Sequence, residues 1–288
     1  MTHSDIEESA AYWDQHNLAP TDDIRYWLAV PELRQDINQR LSGDPAVLFI
    51  ARFLDGLPCP AERALSIGCG TGDLERGVAN LQAAREVHGV DVSTASLDEA
   101  RRLADESGLS ERVQYFLENA STWLGRQPSA SYGLVFFHGS LHHIEDLEGV
   151  LDGAARVLNG SEPGLLYVDE YIGPSRGEWS DQNLITAREL FAQIPERFRR
   201  TPEVWPPIAM EDPTEMIRSS EIPTMLEERF EIIDRQLYGG QILSPLVSAL
   251  RGSTLEHPAV APILREALEL EQRDIESSHY GIFTARPR

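Results

Sequence analysis

Apolar residues in this chain fall in short blocks separated by polar and glycine-containing turns, and the period of the blocks changes along its length. Over 9–57 the spacing of Ile24, Trp27, Leu28, Val47, Phe49, Ile50 and Phe53 is helical, interrupted by Pro20, Pro31 and Pro45. This predicts an N-terminal helical cap. From 64 onward, apolar runs at 64–67, 86–90, 113–116, 134–137 and 165–168 alternate with amphipathic stretches, the pattern of strands separated by helices. Such alternation predicts parallel strands joined by right-handed crossovers, with a ligand crevice at their C-terminal ends. Beyond 169 the pattern loosens. Segment 184–194 reads as a helix, and 200–223 is rich in proline and polar residues around the apolar Val204-Trp205-Pro206-Pro207-Ile208. Segments 242–250 and 259–275 read as helices, while 230–237 and 280–285 alternate like strands. The resulting division is a cap over 1–58, a core over 59–173, an insertion over 174–229, and a return to the core sheet over 230–288.

The first of these strands runs directly into Gly68-Cys69-Gly70-Thr71-Gly72-Asp73, and Asp91 follows 21 residues after Gly70 at the end of the second. A glycine turn lets backbone approach a bound nucleoside, and a carboxylate closing the second strand can accept from both ribose hydroxyls. A dinucleotide fingerprint would read G-x-G-x-x-G, with pyrophosphate on the helix N-terminus. Here the third glycine comes one place early and Asp73 stands where the small residue belongs, so its charge would compete with a phosphate for the helix amides. S-adenosylmethionine carries no phosphate, and its cationic amino group and sulfonium suit an acidic loop. Gly68, Asp91, Asn119, His138 and Asp169 all fall just after predicted strand ends, which places five candidates on one edge.

Composition narrows the partners. A net charge of -22 argues against nucleic acid and anionic membrane surfaces, which are bound through clustered Lys and Arg. The exception, Arg197-Phe198-Arg199-Arg200, reads as a solvated helix end. The chain has no lysine, which removes pyridoxal Schiff-base and P-loop chemistry. Cys59 and Cys69 make neither a metal spacing nor a disulfide framework. The polar start and the lack of long apolar runs lead to an expectation of a cytoplasmic protein with a small-molecule partner; a homodimer is left open.

On these residues the chain resembles the class I S-adenosylmethionine-dependent methyltransferases, from about Ala64 to Gly173 and more weakly beyond. Ser140-Leu141-His142-His143-Ile144 and Gly164-Leu165-Leu166-Tyr167-Val168-Asp169 carry the likeness past the glycine turn. The resemblance implies an α/β fold: a Rossmann-like seven-stranded sheet, parallel with an antiparallel closing strand, under the helical cap and with a lid inserted after the fifth strand. It implies a cofactor site made of Tyr12, Ser66, Gly68, Gly70, Gly72, Asp73, Asp91, Val92, Asn119, Ala120 and His138. Asp91 would hold the ribose and Asn119 would read the adenine edge by donating and accepting. Two positions depart from the family's pattern: Ser66 replaces the acidic residue two before the first glycine, and Gly133 replaces the Asp usual before the fourth strand. The insertion over 171–225 is where the family builds its acceptor pocket.

Methyl transfer to a hydroxyl needs a proton acceptor, and histidine suits that role near neutral pH. The candidates are His142 or His143 as base, with Asp169 or Glu170 orienting it. Because neighbouring residues at a helix start point about 100° apart, one of the pair is expected to face the pocket. No catalytic metal is expected, since no two histidines spaced i, i+4 lie on a predicted helix. The reading is therefore methyl transfer to a small molecule, a hydroxyl of a sugar or secondary metabolite. Its rivals are a non-catalytic cofactor-binding subunit, which Ser66 and Gly133 would suit, and an NAD-dependent oxidoreductase, which Asp73 opposes.

Overall fold

The computed structural model describes residues 3–16 and 26–288; Pro20 and Ile24 of the expected cap lie outside the described residues. Seven strands form one sheet: β1 (Ala61–Ile67), β2 (Ala84–Asp91), β3 (Val113–Leu117), β4 (Leu134–His138), β5 (Leu165–Tyr171), β6 (Phe230–Gly239) and β7 (Tyr280–Pro287). Their order is β3-β2-β1-β4-β5-β7-β6. The first five pair in parallel, and β7 runs antiparallel to both β5 and β6. All seven strands lie where the apolar runs predict them. Strand β5 runs past its apolar block through Asp169 and Glu170 because both pair with β7 opposite Ile282 and Gly281. Those two acids therefore sit inside a strand rather than after it.

Among the helices are the cap helices α1 (His3–His16), α2 (Pro31–Ser42) and α3 (Phe49–Asp55), and the crossovers α4 (Asp73–Asn80), α5 (Thr94–Glu106), α6 (Ala120–Arg126) and α7 (Leu147–Leu158). Beyond β5 come α8 (Asp181–Gln193), α9 (Ile222–Arg229), α10 (Leu243–Ser248) and α11 (Ala261–Arg273). Helices cover both faces of the sheet, so β4 has to be apolar on both sides. Leu134, Val135, Phe136 and Phe137 are all fully buried, each contributing about 1.5–3 kcal/mol. Phe136 belongs to the core that includes Trp27 and Tyr167, and Phe137 to the core under α7.

The chain leaves β3 at one edge and crosses back to place β4 beside β1. The carboxyl ends of β1 and β4 are the switch point at which a sheet of this kind opens a crevice. Side-chain caps build the rim: Ser93 accepts from Ser96 at the start of α5, Asn119 from Thr122 at α6, and Asp146 from Gly149 at α7. Helix α1 packs over this rim, where Asp14 accepts from the Ser93 hydroxyl at 2.7 Å and the Ala95 amide at 3.0 Å. Among the described residues no helix is long and apolar enough to cross a membrane.

Candidate functional site: two joined cavities at the switch point

A cavity of about 560 Å³ opens at the ends of β1, β2 and β3, within the range of small-molecule sites. Gly68, Gly70, Asp91, Val92, Asn119 and Ala120 line it, with Trp13 from α1 above them. Gly68, Gly70 and Gly72 all have left-handed backbone, φ 70°, 51° and 78°. A Cβ on Gly68 would lie 2.5 Å from that of Ser140, and one on Gly72 would lie 2.2 Å from the Tyr115 hydroxyl, so both positions exclude a side chain. Asp91 braces the loop by accepting from Gly70 N at 2.8 Å and Ser93 N at 2.9 Å. Burial raises its pKa, and those amides oppose the rise. A nucleoside with its ribose at Asp91 and its base beside Asn119 and Ala120 fits this cradle. The Asn119 carbonyl oxygen accepts from Thr122 N at 2.8 Å as a helix cap, which leaves its NH₂ and one further lone pair for a base.

Five residues expected around the cofactor lie elsewhere. Asp73 is exposed and turned out to an ion pair with Arg76. Gly72 shapes the turn under Tyr115 without lining the cavity. Ser66 is buried in β1 and faces Glu75 of α4, a fully buried carboxylate whose oxygens have no hydrogen-bond partner among the described residues. Glu75 lines neither cavity. Tyr12 and His138 line a second cavity instead of the first.

Burial pushes the pKa of Glu75 up to about 7. A folded-state pKa above the unfolded one means the folded state holds the proton more tightly. Stability then falls as pH rises from about 4.3 to about 7, by roughly 4 kcal/mol for this one group. Glu75→Gln is expected to flatten much of that fall and to be the more stable protein at pH 8. Urea unfolding at pH 5 and pH 8 measures it, and an unchanged pH dependence in the variant would contradict the assignment.

The second cavity, about 510 Å³, lies at the ends of β4 and β5 and shares Trp13, Gly139 and His143 with the first. The segment after α8 supplies part of its wall through Arg200, Trp205, Pro206, Pro207, Ile208 and Glu215, in the stretch predicted to hold the acceptor pocket. The basic run does not form an anion patch: Arg199 donates to the Ile194 and Ala192 carbonyls, Arg200 to Ser248, and Arg197 lies over Phe198.

Asp169 and Glu170 point to opposite faces of β5, and each takes a different histidine. Asp169 meets His138 Nε2 at 3.1 Å and accepts from the Tyr238 hydroxyl at 2.7 Å. Glu170 pairs with His142 Nδ1 at 2.7 Å and accepts from the Leu141 and Ser140 amides. Burial disfavours the charged form of His142, but Glu170, Glu215 and Asp212 outweigh it, and its pKa is pushed up to about 9. His143 goes the other way, held well below its ordinary value by burial and by the neighbouring His142.

The expectation that one of the pair faces the pocket is corrected by the structure. Leu141–His143 is a single 3-10 turn rather than an α-helix start, and the two rings lie 4.1 Å apart, with both lining the second cavity. The partner of His143 is neither Asp169 nor Glu170. It is Asp212, with Thr214: His143 Nδ1 lies 3.4 Å from Asp212 Oδ2 and 3.1 Å from Thr214 Oγ1. Asp212, Thr214 and Glu215 are functional candidates that sequence reasoning missed.

A switch-point cradle with a glycine turn and a ribose acid, on a sheet of this order, defines a nucleoside-cofactor α/β fold. Residues 64–161 match the family model of a methyltransferase domain. Trans-aconitate 2-methyltransferase of Pseudomonas aeruginosa is 33% identical over 116 residues, 40% of this chain and 38% of that protein. Ubiquinone biosynthesis O-methyltransferase of Burkholderia vietnamiensis is 35% identical over 97 residues, 34% of this chain and 40% of that one. The chain spans less than half the length of these curated relatives. The crystal structure of geranyl diphosphate C-methyltransferase from Streptomyces coelicolor A3(2), in complex with S-adenosyl-L-homocysteine, covers 100% of both chains at 17% identity and a TM-score of 0.58, a likeness of fold. Residues 64–161 are thus a methyltransferase domain, and S-adenosylmethionine is the cofactor that this domain and the likeness of fold support.

Proposed function

We propose that this protein transfers the methyl group of S-adenosylmethionine to a hydroxyl of a small molecule, a sugar or secondary metabolite, held in the second cavity. The observation that carries the reading is the junction: His143 lines both cavities, where a methyl donor in the first would meet an acceptor in the second. Bound S-adenosylmethionine supplies an electrophilic methyl, and the protein's part is alignment, exclusion of water and activation of the acceptor.

Asp91 holds the ribose, Val92, Asn119 and Ala120 flank the base, and the open glycine turn admits the remainder of the cofactor. Alignment of donor and acceptor supplies up to roughly 7–11 kcal/mol of barrier lowering in such a site. Thr214, backed by Asp212, fixes the His143 ring through Nδ1, leaving Nε2 on the side of Glu215 in the acceptor cavity. Glu170 fixes His142 beside it, and Asp169 fixes His138 farther along the wall. Trp13 closes the junction by packing edge-on against His143, with centroids 5.4 Å apart.

The test is a screen of hydroxylated acceptors with S-adenosylmethionine labelled in the methyl group. Label in an ether product is the expected outcome. Label recovered only on carbon, nitrogen or carboxylate would overturn the choice of hydroxyl.

A further inference from the structure

The two adjacent histidines share a layout that a proton acceptor alone does not require. Each has one ring nitrogen against a carboxylate, His142 Nδ1 on Glu170 and His143 Nδ1 on Asp212, and each has its Nε2 on the side of Glu215. His142 Nε2 is 4.0 Å from Glu215 Oε1, and His143 Nε2 is 3.9 Å from Oε2. Donor atoms of all three residues lie within 4.8 Å of one another. Imidazoles that ligate a metal through one nitrogen almost always donate the other N–H to a carboxylate or carbonyl, which fixes the ring. His142 has that partner in Glu170, and His143 Nδ1 has the Thr214 hydroxyl, which in turn donates to Asp212.

Charge points the same way. Glu170, Asp212 and Glu215 are all buried, and Asp212 Oδ2 has no hydrogen-bond partner among the described residues. The guanidinium that acts on Glu215 is Arg176, and it donates to the carbonyls of Ala209, Met210 and Pro213. Three buried carboxylates, one with an unpartnered oxygen, thus converge on the two imidazoles, a setting that suits a divalent cation.

We propose that His142 Nε2, His143 Nε2 and Glu215 form a site for a divalent transition-metal ion, with Glu170 and Asp212 holding the two imidazoles in place. Imidazole donors favour zinc, cobalt or iron over magnesium and calcium, which take oxygen ligands. Metal–ligand bonds of about 2.0–2.2 Å would draw Glu215 and the rings together by about half an ångström. The site escapes a search for i, i+4 histidines because its ligands come from a 3-10 turn and from a loop about seventy residues later.

Three protein ligands leave a position open, and both histidines and Glu215 line the second cavity. Its role, which rests on the methyl-transfer reading, is to bind the acceptor hydroxyl and acidify it. The hydroxyl proton then leaves to solvent, the oxygen pair forms the new C–O bond, and the C–S pair returns to sulfur as the methyl departs. The metal site itself rests on the donor geometry alone.

The test is titration of metal-stripped protein with Co²⁺, followed by visible absorption and by competition with Zn²⁺. One equivalent is expected to bind with the ligand-field bands of a nitrogen- and oxygen-coordinated ion, and Zn²⁺ is expected to displace it. Glu215→Gln and His143→Ala are expected to abolish the spectrum, and Asp212→Asn to weaken affinity about 10- to 100-fold. Asp91→Ala, remote from the donors, keeps it. Absence of a stoichiometric spectrum, or a spectrum unchanged in Glu215→Gln with circular dichroism intact, overturns the site. S-adenosylmethionine binding is measured on the same samples: if it binds and no Co²⁺ spectrum forms, the metal inference alone fails, and if Co²⁺ binds and S-adenosylmethionine does not, the methyl-transfer reading alone fails.

Discussion

Replacing His143 by alanine is expected to lower turnover by about 100- to 10,000-fold while S-adenosylmethionine affinity changes little, the size of effect associated with a group that manages the acceptor's proton. The ring stands where the two cavities meet and is held through Nδ1 by Asp212 and Thr214. Its loss leaves the ribose and base contacts of the first cavity untouched. Single-turnover rates at saturating cofactor, with affinity measured separately, give the comparison. Full turnover in both His142→Ala and His143→Ala would remove the pair from the mechanism. Asp212→Asn is a milder version of the same experiment, because it keeps the shape of the loop while weakening the partner of Nδ1.

Asp91→Ala is expected to weaken S-adenosylmethionine binding at least 100-fold. Two hydrogen bonds from ribose hydroxyls to a carboxylate are worth about 1.5–3 kcal/mol each, and both are lost. The same carboxylate accepts from the Gly70 and Ser93 amides, so its removal also frees the glycine loop from the ridge it leans on. Asp91→Asn, which keeps a hydrogen-bonding group of the same size, is expected to fall between the two proteins. Calorimetry of the three separates the contributions, and equal affinity in Asp91→Ala would discard the ribose assignment.

What the chain discloses before folding follows the reach of each physical signal. Strand and helix periods are local, and β1 to β7 lie where the apolar runs put them. The glycine turn and Asp91 are legible because backbone freedom and a strand-end carboxylate are local requirements too. The loop that bears Asp212 and Glu215 has no period, and its meeting with His143 is set by the path of the chain across the sheet. The separate duties of Asp169 and Glu170 follow from the period-two alternation of a strand, but only once β7 pairs with both and carries β5 through them. Glu75 reads as one of two acids in the first turn of α4, alongside Asp73. One is exposed and the other fully buried, a difference that depends on the helix face laid against the sheet.

The central claim is that the first cavity holds S-adenosylmethionine, and calorimetric titration tests it most directly. Purified protein would be titrated in parallel with S-adenosylmethionine, S-adenosylhomocysteine and NAD. The account predicts micromolar binding of the first two at one site per chain, no binding of NAD, and loss of the signal in Asp91→Ala. Binding of NAD alone, or S-adenosylmethionine binding that Asp91→Ala leaves intact, would contradict it.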